Sequence, residues 1–379
     1  METGMEKLAI IGAGYIGRII AEEARKMRVE THCFAWEKGA VAKDSVDHFY
    51  PVSVTEKEKI LDICREIGID GVVAAASVSI TTAAYVAEQM GLNGNPPDIA
   101  AEIADKYRNR RLTREIPELE PVGFRLVRCR EDVQGMNYPL ILKPVSAGGK
   151  AGLSVVESGE QLEDAFRYGE ESHYREFIAE EYIGGGREYS VESLTYHGKN
   201  YILQVTAKVS GGPPHCVELA HHQPADLSPE MREKVERVTD RILTALGVQN
   251  GPCHTEIKIV DGKIYLIEVN GRMAGGHVSH PLVELSTGYP YVQGVIEVAL
   301  DRFRGIDRDK LLHRYASVFF VTQQTAYLKP VFDTCEQYDW CWHKQETSRD
   351  LILYTHNDGY RINYFIYYSE KEPPRFARY

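Results

Sequence analysis

Two carboxylates, an amide and a guanidinium lie close together in the sequence of this 379-residue chain, between Glu256 and Arg272. Glu268 and Asn270 alternate along a strand-like run, so their side chains project to one face, and Arg272 follows just beyond. Glu256 lies on the preceding strand-like run, and an Asp-Gly pair between the runs is a strong hairpin signal. Oxygen ligands of this kind suit Mg²⁺ that bridges phosphates, and arginine is a forked donor for phosphoryl or carboxylate oxygens. The alternative is an ordinary hairpin with two solvated glutamates.

A lysine and a glycine-rich loop form a second candidate site. Lys143 follows the apolar run Leu140 to Leu142 and precedes Pro144, so it is predicted to be held by a buried strand. The loop at residues 146–152 reads Ser-Ala-Gly-Gly-Lys-Ala-Gly, and its backbone amides could surround anionic oxygens. A flexible hairpin turn is the alternative interpretation of this loop.

Two further segments carry groups of the same chemical kind. Lys106 lies in Asp-Lys-Tyr-Arg-Asn-Arg, at residues 105–110 of a predicted helix, where a solvated charged face is the alternative. Glu180-Glu181-Tyr182-Ile183 leads through three glycines to Arg187-Glu188, a strand and turn whose backbone groups could face a purine.

The elements that must position these residues begin with a strand, a glycine turn and a helix. The turn reads Gly-Ala-Gly-Tyr-Ile-Gly at residues 12–17, and Glu37 lies 20 residues after Gly17. These are the parts of a dinucleotide-binding fingerprint, although the motif alone is weak. Alternating strands and helices continue to about residue 95 and predict a doubly wound parallel sheet.

The remaining chain mixes both kinds of element. Helix is predicted at 97–114, strands flank the glycine-rich loop within 140–156, and two more strands are predicted at 177–181 and 188–195. A long amphipathic helix at 227–246 precedes the hairpin strands at 255–260 and 263–269. Past residue 310 the chain is rich in Tyr, Phe, Val and Thr, which predicts a β-rich carboxy-terminal module.

Composition favours small-molecule chemistry. The formal net charge of −11, without any run of Lys and Arg, argues against a nucleic-acid surface. No apolar run approaches the roughly 20 residues of a membrane helix, and the first residues lack the pattern of a secretory leader. Seven scattered cysteines without a Cys-x-x-Cys pair favour reduced thiols. We therefore expect a cytoplasmic protein without nucleic-acid or membrane partners.

The order of these segments resembles the ATP-grasp superfamily of carboxylate–amine ligases, and is most like the L-amino acid ligases, over about residues 5–300. The resemblance implies an α/β and α+β fold: a Rossmann-like pre-ATP-grasp domain at 1–95 and an ATP-grasp domain of two α+β lobes at 96–310. The lid subdomain would span about 120–183, and the β-rich carboxy-terminal module would be 311–379.

The resemblance also implies roles for individual residues. Lys106 and Lys143 would hold ATP phosphates, and Arg272 would stabilise charge on the transferred phosphoryl group. Mg²⁺, or Mn²⁺ in its place, would be held by Glu256, Glu268 and Asn270. The whole nucleotide site would comprise Lys106, Lys143, Ser146, Gly148, Gly149, Gly152, Glu180, Glu181, Tyr182, Ile183 and Glu188.

A substrate pocket is implied by the segment between the hinge and the hairpin, residues 206–218. It is similar to the region that faces the acceptor in amino-acid ligases, with Glu218 as the ammonium-binding acid and Lys208 near the phosphates. Gly275, Gly276 and His277 would line the same pocket, with His277 more often structural than catalytic in such a place. The alternative is a mobile loop without a substrate.

The activity that the resemblance implies is ATP-dependent formation of an amide or peptide bond. An amino acid or other acid would be activated as an acyl phosphate, with release of ADP, and passed to an amine. A bicarbonate-using carboxylase or a purine-pathway enzyme of the same fold is the second hypothesis. A nicotinamide-dependent oxidoreductase built on Gly12 to Glu37 is the third, and a homodimer is left open as the assembly.

Overall fold

The computed structural model describes residues 4–146, 148, 152–171, 174–212, 216–355, 357–374 and 376. Within these residues the strands form three sheets. The strands are β1 (Lys7–Ile11), β2 (Glu30–Phe34), β3 (His48–Tyr50), β4 (Gly71–Ala74), β5 (Phe124–Val127), β6 (Leu140–Pro144), β7 (Ser154–Val156), β8 (Phe177–Glu181), β9 (Arg187–Tyr196), β10 (Lys199–Ser210), β11 (Glu218–Gln223), β12 (Gly251–Val260), β13 (Lys263–Asn270), β14 (Tyr315–Val321), β15 (Cys341–Gln345) and β16 (Asn363–Ser369).

The helices pack on the faces of these sheets. They are α1 (Tyr15–Lys26), α2 (Lys57–Ile67), α3 (Ile80–Met90), α4 (Pro97–Ala104), α5 (Lys106–Thr113), α6 (Leu162–Glu171), α7 (Pro229–Ala245), α8 (Glu284–Thr287), α9 (Tyr291–Ala299) and α10 (Lys329–Thr334). None of them is both long and apolar enough to cross a membrane, as far as the described part of the chain extends.

The amino-terminal sheet has the strand order β3-β2-β1-β4, and every neighbouring pair is parallel. Strands β1 and β2 are almost fully buried because helices cover both faces, as parallel sheets require, whereas the edge strand β3 is partly exposed. Gly17 lets α1 approach β1 closely, since a Cβ there would lie 2.3 Å from the Gly12 carbonyl oxygen. The predicted doubly wound parallel sheet is confirmed.

The second sheet is antiparallel, with the order β5-β8-β6-β7, and α6 packs against it. Lys143 lies on its strand β6 and pairs in register with Ile178 of β8. Pairing with β8 fixes the backbone of this lysine, as the apolar run before it predicts.

The third sheet has eight strands in the order β13-β12-β9-β10-β11-β14-β16-β15, all antiparallel. Helix α7 covers one face with an apolar stripe that includes Val235, Val238 and Ile242. The aromatic carboxy-terminal strands continue this sheet, because β14 pairs with β11 from Ala220↔Phe319 onward. The boundaries at residues 95 and 310 stay predictions.

The helix predicted at 97–114 is divided in two. Asp105 between α4 and α5 has an extended backbone, with φ −113° and ψ 113°, and its side chain accepts a hydrogen bond from the Arg108 amide. An aspartate that caps the second helix therefore separates the two, and it places Lys106 in the first turn of α5.

Candidate active site

A cleft of about 230 Å³ lies where α5, β6 and the large antiparallel sheet meet. Many residues that the sequence singled out line it together. These are Lys106, Lys143, Lys208, Glu218, Glu256, Glu268, Arg272, Gly275 and Gly276.

The hairpin end of the cleft holds the two predicted metal carboxylates. Glu256 and Glu268 are cross-strand partners on β12 and β13. Asn270 donates a hydrogen bond of 2.8 Å to Glu268 Oε1, and Lys106 Nζ lies 3.1 Å from Glu268 Oε2. Burial raises the pKa of Glu268, but Lys106 and Lys143 outweigh it and hold the pKa below its ordinary value. The carboxylate is therefore ionised and available to a cation.

Lys208 joins this end of the cleft to the predicted substrate pocket. Its side chain is 2% exposed, and its Nζ lies 2.6 Å from Glu218 Oε1 and 3.0 Å from Glu256 Oε1. Burial lowers the pKa of Lys208, but the two carboxylates outweigh it and raise the pKa above the ordinary value. The residue is a fixed cation between a candidate metal ligand and a candidate ammonium ligand.

A buried histidine, His254, completes the network and was not predicted. Its Nδ1 lies 2.7 Å from Glu192 Oε1 and its Nε2 lies 2.9 Å from Glu256 Oε1. Burial lowers the pKa of His254, but the two carboxylates outweigh it and raise the pKa to about 9. The imidazolium therefore donates to both acids and fixes Glu256. The signal was present in the sequence, because residues two apart on a strand share a face.

Arg272 is positioned by the amino-terminal domain. Its Nε donates a hydrogen bond of 2.9 Å to Ser77 Oγ, beyond the carboxyl end of β4. Gly148 of the glycine-rich loop lies against the same hydroxyl, since a Cβ there would be 2.8 Å from Ser77 Oγ. Ligand sites in open parallel sheets lie at this edge, which was the only sequence signal for Ser77. Gly148 therefore lies on the side of the cleft that carries Arg272.

The rest of the predicted loop is placed only in part. Ser146 is exposed, and Gly152 has φ +68° and lies close to Pro144. Gly149 lies outside the described residues. Its predicted phosphate contact stays a prediction.

Glu180 lies in a closed ion network behind the cleft. Its carboxylate is within 2.6 Å of Lys143 Nζ and 2.7 Å of an Arg110 guanidinium nitrogen. Burial raises the pKa of Glu180, but the two cations outweigh it and lower the pKa. The side chain is 4% exposed, so in this structure it positions Lys143 and does not face the cleft. The predicted contact of Glu180 with adenine stays a prediction.

The other predicted hinge side chains do not line the cleft. Glu181 accepts a hydrogen bond from the Gly123 amide, and the Ile183 carbonyl accepts one from Lys258. The same lysine lies 5.7 Å from the Tyr182 ring centroid. Glu188 is the register partner of Lys208 on β10 and of Lys258 on β12. Their predicted nucleotide contacts stay predictions.

The predicted substrate side of the cleft contains Gly275, Gly276 and an aromatic wall. His277 lies behind this wall; its Nε2 is 3.3 Å from the Gly359 carbonyl oxygen, and burial lowers its pKa to about 3. It is a neutral packing residue, as the sequence interpretation preferred. The wall itself was not predicted and comprises Phe320, Tyr354, Asn357, Asp358, Gly359 and Tyr360.

The predicted glycine turn reaches this wall through an aromatic contact. Tyr15, inside the turn, stacks on Tyr360 with ring centroids 4.4 Å apart and planes 10° apart. Glu37, which would contact a ribose in a dinucleotide site, is 65% exposed and paired with Lys43. The turn therefore borders the cleft that carries the carboxylates.

Comparison with known proteins identifies the class of this site. The ATP-grasp domain model matches residues 136–280. Formate-dependent phosphoribosylglycinamide formyltransferase of Wolinella succinogenes is 22% identical over 273 residues, which cover 70% of each chain. The enzyme of the same name from Methanocaldococcus jannaschii is 24% identical over 262 residues, which cover 64% of each chain.

Solved structures share the fold over almost the whole chain. L-amino acid ligase from Bacillus licheniformis superposes with a TM-score of 0.79 at 24% identity, over 97% of this chain and 94% of that one. N5-carboxyaminoimidazole synthetase from Staphylococcus aureus, complexed with ADP, superposes with a TM-score of 0.75 at 14% identity, over 98% of this chain and 95% of that one. A biotin carboxylase domain from Hydrogenobacter thermophilus, in complex with MgADP and bicarbonate, superposes with a TM-score of 0.73 at 16% identity, over 96% of this chain and 86% of that one.

The chain carries an ATP-grasp domain and has the ATP-grasp fold. This domain and this fold confirm the predicted fold class, enzyme class and use of ATP with Mg²⁺. The names of the curated relatives correspond to the purine-pathway alternative and not to amino-acid ligation.

Proposed function

We propose that this enzyme joins an amino acid to an amine, using ATP to form an acyl phosphate and releasing ADP. The observation that carries the proposal is the position of Lys208, whose ammonium contacts Glu256 on the metal side and Glu218 on the substrate side. One buried cation thus connects the acid proposed to bind the metal with the acid proposed to bind the acyl acceptor. A reaction that transfers a phosphoryl group to a carboxylate needs this proximity.

The donor set at the hairpin fits Mg²⁺. Two carboxylates and an amide oxygen are hard ligands, and Mg²⁺ bound to ATP prefers one or two carboxylates together with phosphate and water. Glu256, Glu268 and Asn270 would hold the ion, which neutralises charge on the phosphates. Lys106 and Lys143 would bind phosphate oxygens, and Arg272 would stabilise charge that builds between the acid and the γ-phosphate.

The substrate wall favours an acceptor with an ammonium group. Glu218 lies 2.6 Å from Lys208, and Asp358 adds a second acid to an otherwise aromatic wall. Among the described lining residues the cations are Lys106, Lys143, Lys208, Arg272 and protonated His254. The three lysines each contact a carboxylate. A sugar phosphate would call for further cations on the substrate side, and this wall offers aromatic and acidic groups.

A second candidate function comes from the relatives. Curated proteins that match 64–70% of the chain are named as formate-dependent formyltransferases of a phosphoribosyl amine. In that case formate is the acid and the amine carries a phosphate. The chemistry of activation is the same, so the two candidates differ only in the occupants of the substrate pocket.

The test is formation of ADP from Mg²⁺-ATP with three sets of substrates. Pairs of amino acids form the first set, formate with phosphoribosylglycinamide the second, and bicarbonate with an amine the third. We expect ADP and a dipeptide with a particular pair. ADP only with formate and the phosphoribosyl amine would replace the proposal with the second candidate, and bicarbonate dependence would exclude both. Glu268→Gln is the control for a contaminating ATPase, because it removes a ligand charge without changing shape.

A further inference from the structure

A cluster of metal-binding side chains lies outside the cleft, on the edge of the amino-terminal sheet. Glu30 and His32 are on β2, and His48 begins the edge strand β3. His32 and His48 are register partners, so their side chains emerge side by side. Each of the three offers one ligand atom, and these atoms all lie within 4.8 Å of one another. Glu30 starts β2, at the end of the sheet opposite to Ser77, so the cluster is separate from the active site.

The distances in this cluster match those between ligands of one metal ion. Glu30 Oε1 lies 3.0 Å from His32 Nε2 and 3.2 Å from His48 Nε2. Ligands bound to zinc at about 2.0–2.1 Å in a tetrahedral arrangement lie about 3.3 Å apart. Both imidazoles therefore direct a nitrogen towards the same carboxylate oxygen at nearly this spacing, and small side-chain shifts would admit an ion.

The second ring nitrogen of His32 already has the support that a metal ligand needs. Its Nδ1 lies 3.1 Å from the Tyr50 hydroxyl, which can donate or accept and so permits either tautomer. The ring is 3% exposed and stacks on His48, with centroids 4.6 Å apart. This packing holds the buried His32 ring in place, and the half-exposed His48 ring would turn out of the stack to direct its Nε2 towards the same ion.

The other two groups leave room for a fourth ligand. His48 is 51% exposed and Glu30 is 27% exposed, so water can reach the space beside the carboxylate. Asp47, the neighbouring acid, is engaged by the amide and the hydroxyl of Thr31 and does not compete for the ion. The donor set is thus two imidazoles, one carboxylate and one open position.

We propose that Glu30, His32 and His48 bind a divalent transition-metal ion of the zinc class, with water in the fourth position. Two imidazole nitrogens select Zn²⁺, Co²⁺, Ni²⁺ or Cu²⁺ over Mg²⁺, which prefers oxygen ligands. The ion would link the three-residue edge strand β3 to β2 and stabilise the amino-terminal domain. This site is independent of the proposed ligase activity.

The test uses the whole chain with excess Mg²⁺, so that oxygen ligands of the cleft are occupied. Co²⁺ is added as a spectroscopic substitute for zinc. We expect visible absorption that is typical of four- or five-coordinate Co²⁺ with nitrogen ligands, and its loss when Zn²⁺ is added. His48→Ala should abolish the absorption, and because this side chain is half exposed the variant should fold.

His313→Ala is the matched control, since it removes an exposed histidine elsewhere and should leave the spectrum unchanged. Glu30→Gln should weaken Co²⁺ binding at least about tenfold, as a ligand loses its charge. Zn²⁺ should raise the melting temperature of the wild type and of His313→Ala, but not that of His48→Ala. Absence of the absorption in the wild type, or a spectrum unchanged in His48→Ala, would overturn the proposal.

Discussion

Two buried carboxylate networks lie at the cleft, one behind it at the hinge and one along it at the hairpin, and they differ in their charge balance. At the hinge, one acid, Glu180, contacts two cations, Arg110 and Lys143. At the hairpin, among the described residues, four acids meet three cations when His254 is protonated: Glu192, Glu218, Glu256 and Glu268 with Lys106, Lys208 and His254. One region has an excess of positive charge and the other an excess of negative charge.

This difference in charge indicates that the two networks interact with different ligands. An excess cation at the hinge suits a phosphate, and an excess carboxylate at the hairpin suits a metal ion. The exposure of the carboxylates to solvent differs as well. The Glu180 side chain is 4% exposed, whereas those of Glu256 and Glu268 are each 16% exposed. A carboxylate that is enclosed with its cations serves the scaffold, and one that opens on a cavity is available to a ligand.

The largest expected effect is the loss of stability that follows a substitution at the hinge. Glu180→Ala leaves Arg110 and Lys143 buried without their carboxylate, which should lower the free energy of unfolding by about 3–5 kcal/mol. Chemical denaturation measures this. Glu181→Ala is the adjacent control, because its exposed carboxylate makes one hydrogen bond to Gly123, and it should cost about 1 kcal/mol or less. Equal losses of unfolding free energy in the two variants would show that Glu180 does not have the structural role that distinguishes the hinge network from the hairpin network.

A substitution at the hairpin should lower the activity of the enzyme and leave its stability nearly unchanged. Glu268→Gln keeps the shape of the side chain but removes a ligand charge, so ATP-dependent turnover should fall by about 10³-fold. The free energy of unfolding should change by less than about 1 kcal/mol, because repulsion from Glu256 is relieved as the contact with Lys106 weakens. Wild-type turnover at ordinary Mg²⁺ would refute the metal assignment. So would a loss of stability as large as that of Glu180→Ala.

His254 should make the hairpin network dependent on pH when Mg²⁺ is absent. Its pKa is raised from 6.5 to about 9 in the folded chain, so the folded state binds this proton more tightly than the unfolded state. Its stabilising contribution is therefore complete below pH 6.5 and is lost as the pH rises through about 9. The difference in unfolding free energy between the wild type and His254→Gln should shrink by about 3 kcal/mol across this range. A difference that does not vary with pH would show that His254 is neutral.

Arg272 should show the smallest effect of the four. Arg272→Ala removes a cation whose charge is useful mainly once negative charge builds on the transferred group, so kcat should fall about tenfold while ATP affinity stays within about twofold. Steady-state kinetics and calorimetric titration with ATP measure the two quantities. Lys143→Ala is the contrasting variant, since it should weaken ATP binding. A large loss of ATP affinity in Arg272→Ala would place this residue in nucleotide binding.

The sequence predicted those parts of the site that depend on local pattern. Strand alternation placed Glu268 and Asn270 on one face, and the apolar run before Lys143 predicted a strand lysine. Partners that come from distant parts of the chain were missed. Ser77 contacts Arg272 across 195 residues, and Arg110 reaches Glu180 across 70. Only the folded chain brings these groups together.

The wall of the substrate pocket was missed for a related reason. The described residues between Tyr354 and Tyr360 form no regular strand or helix, and the aromatic residues among them resemble those of any β-rich region. Its place in the cleft follows from β14 pairing with β11, which brings the carboxy-terminal strands beside Glu218. Sheet order of this kind depends on long-range pairing that local patterns do not encode.

The order of chemical events tests the central claim, formation of an acyl phosphate in this cleft, most directly. The wild-type enzyme would be mixed with Mg²⁺, ATP and the acid identified by the ADP screen, without amine, and quenched at short times. We expect about one ADP per active site and a hydroxamate of that acid when hydroxylamine is present, because the activated acid forms before the amine is needed. No ADP before the amine arrives, together with no trapped hydroxamate, would contradict the account.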